Sequence, residues 1–290
     1  MNQSKSTHSL VASCYGTVKK KNEDFSSDCS IAHKNIIMVA DGIGTSAFSE
    51  RASKEIVNKG IKYFKKEKEA VVNLKRYFSE IQRHLDILID KDQNIITEKD
   101  YGSTLITAIE TRDKIHIGYV GNGAIFHIRG NFTEFEETVY YLPWVCVNYL
   151  NPHTIPDKGK PTLFKHFGVK KMGVPTVPTV ISLEKDLEHA GDIIVICTDG
   201  ISSQDHLEVG EDEYENLWIE GSITLRILLN KLRNYLKKGD YSNTSLKLFL
   251  KTYKQQLEKD IVSDDFAIGI IITETALKYQ KKHQDETGED

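Results

Sequence analysis

"IIMVADGIG", Ile36 to Gly44, is an apolar run that stops at an acid and turns on two glycines. "IIVICTDGIS", Ile193 to Ser202, is built the same way much later in the chain. Each reads as a buried strand, bounded by turn residues and driven straight into an Asp-Gly. A lone Asp-Gly is ordinary turn chemistry. Repeated at the ends of buried strands, it sets carboxylates at the rim of a core, where losing hydration is costly. Asp264 and Asp265 open a third such run, "DDFAIGIIIT", and Asp24 follows Glu23 at the head of "DFSSDCSIAH". Carboxylates placed this way make sense if they converge on hard cations, because Mg2+ and Mn2+ take oxygen ligands. Gly42, beside Asp41, allows close backbone approach and offers its carbonyl as a further ligand.

Outward from these strands, "HSLVASCYG" predicts a first strand, and "DFSSDCSIAH" with "KNIIMVAD" predicts a hairpin turning at His33–Asn35. Two helical patterns follow, over about 46–66 and 68–91. Ala52, Ile56, Ile61 and Phe64 share one face of the first, and Leu74, Phe78, Ile81, Leu85 and Leu88 one face of the second. Strands return at "GSTLITAIE", "KIHIGYVG" and "AIFHIRGN", and "TVYYLPWVCVNYL" reads as a strand pair broken at Pro143. Residues 151–180 hold five prolines and read as an irregular excursion. Residues 201–221 hold seven acids and no Lys or Arg, and read as a solvated loop. Helical patterns near 222–238 and 243–258 precede the last strand.

This order predicts an α+β fold with one domain over 9–275, a flexible stretch at 1–8 and a disordered tail at 276–290, where apolar content is low. The 290 residues are 39% hydrophobic and 28% charged, an ordinary globular balance. A net charge of −4, with no basic stripe, argues against nucleic acid and anionic membrane as partners. Cys14, Cys29, Cys146 and Cys197 show no metal-binding or redox spacing and are expected as reduced strand or core residues. With no leader pattern and no apolar span, a cytoplasmic monomer is expected.

"VKKKNEDF", "IIMVADGIG", "GSTL", "GYVGNGAIFHI", "IIVICTDGIS" and "SDDFAIGII" stand in the order of the motifs of the metal-dependent protein phosphatases, the PPM or type 2C Ser/Thr phosphatases. The resemblance spans about Ser9 to Thr273 and suggests a divergent member of bacterial type. It implies an α/β/β/α four-layer sandwich: two antiparallel β-sheets flanked by helix pairs. It also implies hydrolysis of phosphoserine or phosphothreonine in proteins by a metal-activated water at a centre of two Mn2+ or Mg2+ ions. By this resemblance Asp41 bridges the ions and Gly42 and Glu23 lie on one side. Asp199 and Asp264 lie on the other, Asp24 holds metal-bound waters or a ligand position, and Asp41, Glu23 and Asp24 are the catalytic residues the resemblance implies. The partners implied are phosphorylated proteins, and a Ser/Thr kinase or its targets.

The chain departs from the family at three places. Lys19 stands where an arginine usually grips the substrate phosphate. A lysine is a point charge without the planar fork, and Lys20 and Lys21 follow it. The usual Gly-Asp-Ser-Arg reads Gly121-Asn122-Gly123-Ala124, so a neutral amide replaces the carboxylate of a third ion. Residues 131–180 lack the family's usual decoration of the catalytic face. His116 and His127 are expected as satisfied strand histidines, and His33 lies near the segment where the family carries a histidine acid. Two other readings are a pseudophosphatase that binds without turnover and a phosphohydrolase acting on a small metabolite.

Overall fold

The computed structural model describes residues 8–19, 21–31, 33–66, 72–91, 101–130, 144–157, 160–168, 176–201, 208–211, 217–220, 223–260 and 264–287. Three strands come first: β1 (Leu10–Gly16), β2 (Asp24–Ile31) and β3 (Lys34–Asp41). Helices α1 (Ser49–Lys66) and α2 (Leu74–Lys91) follow, then β4 (Gly102–Ser103), β5 (Leu105–Glu110), β6 (Lys114–Val120), β7 (Ala124–Gly130) and β8 (Trp144–Asn148). The next strands are β9 (Thr154–Asp157), β10 (Lys160–Leu163), β11 (Phe167–Gly168), β12 (Thr179–Glu184) and β13 (Asp192–Cys197). The chain continues with β14 (Glu208–Glu211), β15 (Leu217–Glu220), α3 (Ile223–Lys237), α4 (Asn243–Asp260), β16 (Phe266–Ile272) and α5 (Glu274–Thr287).

Two five-stranded antiparallel sheets, ordered β1-β16-β13-β7-β8 and β12-β6-β5-β3-β2, stack with β1 on β2 and β16 on β3. Alternation along each strand sorts side chains between three apolar layers. On β3, Ile37 and Val39 enter the seam between the sheets, with Ile106, Ile117, Ile194, Ile196 and Ile271. Ile36, Met38 and Ala40 face the other way, onto Ala52, Ile56, Tyr77 and Phe78 of α1 and α2. On β13, Val195 and Cys197 face Leu232, Leu236, Leu250 and Tyr253 of α3 and α4. The central strands are therefore apolar on both faces, which is why they read as continuous runs. The result is the expected four-layer sandwich, helices outside and sheets within.

Three expectations are corrected. Disorder beginning at 276 gives way to α5: Thr273 caps its first turn, with its hydroxyl accepting from the Ala276 amide, and Ala276 and Leu277 are buried. A Lys278–Glu274 pair one turn apart supports the same helix. The excursion at 151–180 contains the β9–β10 hairpin, and the acidic stretch contains the β14–β15 hairpin, in register Glu208↔Glu220. The strand expected before Pro143 lies outside the described residues, as does the start of the chain through residue 7. All four cysteines are free and lie on strands. Burial pushes the Cys29 and Cys146 thiols up to about 11, so both remain protonated at neutral pH.

Candidate metal centre

The register of the first hairpin sets Asp24 directly opposite Asp41. Residues opposite one another in a ladder share a face, and this face is the seam between the sheets. Val39, two residues before Asp41, packs in that seam. β13 ends beside β16 there, so Thr198 and Asp199 leave the second sheet where Asp264 and Asp265 enter it. The Thr198 amide donates to the Ala267 carbonyl at 3.0 Å. Four strand ends from two sheets thus meet at one rim of the sandwich.

The carboxyls of Asp24 and Asp41 hydrogen-bond one another. Burial, with the charges of Asp199 and Asp265, pushes Asp24 up to about 7, against hydrogen bonds that pull it down. Burial, then the charges of Asp24, Asp199 and Asp264, holds Asp41 well above the usual carboxylate range. Like charges enclosed together cannot all ionise without a counter-cation, so this pair retains a proton. Among the described residues, no three His, Cys, Asp or Glu side chains stand close enough together to form a ready-made metal site. Glu23, Asp24, Asp199 and Asp264 each take a contact from a donor of the chain itself.

Each of those donors is specific. The Thr198 hydroxyl donates to Asp24 Oδ2 at 2.5 Å and accepts the Ala267 amide at 2.8 Å. The Asn122 amide donates to Asp199 Oδ2 at 2.6 Å. The Ser49 hydroxyl, at the head of α1, donates to Glu23 Oε1 at 2.8 Å. Lys19 Nζ lies 3.3 Å from Glu23 Oε2 and contacts Asp264 Oδ1 as well. Asp264 is half exposed, whereas its neighbour Asp265 is buried. Asp265 Oδ1 accepts the amides of Val18 and Lys19 at 2.7 and 2.9 Å, and its Oδ2 accepts that of Glu23 at 3.0 Å. One buried carboxylate therefore fixes the loop that carries both Lys19 and Glu23.

The "GSTL" segment straps Asp41 from below. Thr104 Oγ1 accepts the Asp41 amide at 3.0 Å, and the Ser103 hydroxyl donates to the Asp41 carbonyl at 2.9 Å. Gly42 lies so close to α1 that a Cβ there would meet the Ser49 carbonyl at 2.4 Å. In the Asn122 turn, Gly121 and Gly123 have φ of +112° and +117°, a region side chains disfavour. His153 holds that turn: its Nδ1 accepts the Gly121 amide at 3.1 Å, and its own amide donates to the Gly121 carbonyl at 3.0 Å. His153 Nε2 then donates to Thr179 Oγ1 at 2.8 Å, and its ring stacks on Tyr119 with centroids 5.0 Å apart.

Thr198, Ser49, Asp265 and His153 carry roles the sequence reading did not assign. Thr198 and Asp265 adjoin the motif acids, which is a usable signal. His153 lies among prolines and has none. His127 is a satisfied strand histidine, 2.7 Å from buried Asp192, and His116 Nδ1 lies 3.4 Å from the Ser182 hydroxyl. His33 sits exposed at the far end of the first hairpin, away from Asp24.

The pattern of the family described as protein phosphatase 2C matches residues 17–138. No curated protein sequence matches the chain. Among solved structures, the S. agalactiae serine/threonine phosphatase is similar at 12% identity and TM-score 0.60, covering 91% of this chain and 98% of that one. Staphylococcus aureus serine/threonine phosphatase Stp1 is similar at 14% identity and TM-score 0.58, covering 94% and 97%. The Mycobacterium tuberculosis phosphatase PstP/Ppp gives 14% identity and TM-score 0.55, covering 91% and 97%. At these identities the structural likeness speaks for the fold. The sequence match over 17–138, less than half of the chain, makes that part similar to the protein phosphatase 2C family.

Proposed function

We propose that the chain is a metal-dependent protein phosphatase that hydrolyses phosphoserine or phosphothreonine. The observation that carries this reading is the meeting of Asp24, Asp41, Asp199 and Asp264 at one rim, close enough that the charges of Asp199 and Asp264 bear on Asp41. The donor set is all oxygen, and its uncompensated charge fits hard divalent cations better than a thiolate- or imidazole-binding metal. Asp41, Gly42 and Glu23 would hold one Mn2+ or Mg2+, and Asp41, Asp199 and Asp264 a second. A related structure, the PstP catalytic domain, is described in complex with two manganese ions. When bound, such ions supply positive charge that makes water a nucleophile near neutral pH and offsets charge on the phosphoryl oxygens.

The chain's own residues do the rest. Thr198 holds the Asp24 carboxyl beside Asp41. Asn122 orients Asp199. Its neutral amide would leave a third ion without a carboxylate. Lys19, anchored by Asp265, is placed at the mouth to meet the substrate phosphate as a point charge. On this reading the substrates are phosphoproteins made by a serine/threonine kinase, and the protein acts as a cytoplasmic monomer.

The test is hydrolysis of a phosphothreonine peptide with Mn2+, with EDTA, and by the Asp41→Asn variant. Turnover is expected only with metal and intact Asp41, and Asp41→Asn should fall by at least about a hundredfold. A second reading, a phosphoprotein-binding module without turnover, is favoured by Lys19 and Asn122 occupying ligand oxygens. Absence of turnover with any divalent ion, in a folded protein that still binds the phosphopeptide, would select it.

A further inference from the structure

We propose that the Lys19 ammonium is a built-in competitor for the divalent ion, so that this one residue sets how tightly the centre binds metal. The inference rests on the metal-centre reading above.

Lys19 Nζ bridges Glu23 Oε2 and Asp264 Oδ1, two carboxylates assigned to opposite sides of the centre. Its main chain cannot drift, because Asp265 Oδ1 accepts the amides of Val18 and Lys19. The same carboxylate, through Oδ2, holds the Glu23 amide, so the cation and one of its acceptors are tethered to a single anchor. The other Glu23 oxygen accepts from Ser49, which leaves Oε2 as the oxygen facing the lysine. The lysine stem is 42% exposed, so the ammonium can leave for solvent without disturbing the core. Burial opposes its charge, but contacts with Asp264 and Glu23 outweigh that and push the Lys19 pKa up, so it stays cationic across the working pH range.

An oxygen lone pair taken by an ammonium is not available to a metal ion. A divalent ion arriving at Glu23 or Asp264 meets a positive charge already there, and must displace it. For charges of +1 and +2 about 5 Å apart, Coulomb repulsion even in a water-like medium corresponds to roughly a tenfold or larger change in affinity. Once displaced, the tethered ammonium is still at the mouth of the centre, where a substrate phosphate would be its next partner. Metal entry and release of Lys19 toward phosphate are then two sides of one exchange.

The test is calorimetric titration of Mn2+ into the full chain at pH 7.5 and low salt, for the unaltered protein, Lys19→Met and Lys19→Arg. Methionine keeps the stem and removes the charge; arginine keeps the charge. Lys19→Met is expected to bind Mn2+ about tenfold more tightly, Lys19→Arg like the unaltered protein, and the gap should narrow as salt rises. A melting curve for each variant confirms folding, and Lys19→Gln substitutes if the Met variant does not fold. Equal or weaker binding by a folded Lys19→Met overturns this inference and leaves the metal centre standing. No Mn2+ binding by any of the proteins overturns the metal-centre reading, and the inference with it.

Discussion

At the residue scale the centre depends on hydroxyl and amide donors that hold acids in place. Thr198 is the clearest case, since its one hydroxyl serves buried Asp24 and the Ala267 amide together. Thr198→Val keeps the shape and removes both bonds, leaving a buried carboxyl and a buried amide unsatisfied. Each such loss costs about 1–3 kcal/mol. The variant should lose stability of about that size in urea denaturation, with a fall in kcat exceeding any rise in KM because Asp24 is no longer held. An unchanged denaturation midpoint would show that Thr198 does not hold Asp24 in solution. Asp265 illustrates how far adjacency in sequence carries. It stands next to a candidate ligand, yet its buried carboxylate caps three loop amides, and only the loop's path reveals that.

At the scale of elements, the Asn122 turn is clamped by a histidine from a distant strap. Burial, aided by Lys165, pushes His153 down from 6.5 to about 4. The folded protein therefore favours the neutral ring, which its bond from the Gly121 amide requires. The unfolded chain takes up the proton first as pH falls. Stability from this clamp is complete above about pH 6.5 and is lost as pH falls toward about 4. In His153→Gln the side-chain oxygen can still accept from Gly121 but does not titrate. Urea midpoints measured from pH 7 to 4 should fall less steeply for the variant than for the unaltered protein. Parallel curves would mean that His153 does not titrate in that window. The helices were plain from spacing alone, because Ala52, Ile56 and Phe64 recur on one turn-spaced face and are all buried. Helix α5 was not, because its anchoring rests on two apolar residues and a cap rather than on a long stripe.

Across the whole molecule the two ends of the sandwich do different work. Opposite the carboxylate rim, Lys185 Nζ reaches Glu110 Oε1 at 2.6 Å, and both are almost fully buried. Ser9 and Asn35 donate to the same carboxylate at 2.8 Å each, tying β1, β3, β5 and the end of β12 together. Lys185→Met would strand Glu110 as an uncompensated buried charge, a loss of about 3–5 kcal/mol. The thermal midpoint should drop by several degrees, while Mn2+ affinity measured below that midpoint should stay unchanged. A coupled loss of metal binding would mean that the two ends are not independent.

Sequence by itself determined the central strands, most of the helices and the acids that end or begin those strands. Those features are local: an apolar run, a turn-spaced stripe and an Asp-Gly each declare themselves within a few residues. The resemblance in motif order extended that to the four layers. Tertiary structure alone decided which acids meet and what holds them. Asp24 faces Asp41 because of hairpin register, and Asp199 and Asp264 join them because the two sheets stack with those strand ends at one rim. Lys19 on Glu23 and Asp264, Asn122 on Asp199, and His153 on Gly121 are contacts between residues far apart in the folded path or set by loop geometry. No local pattern encodes them, because their distances follow from the packing of every layer between them.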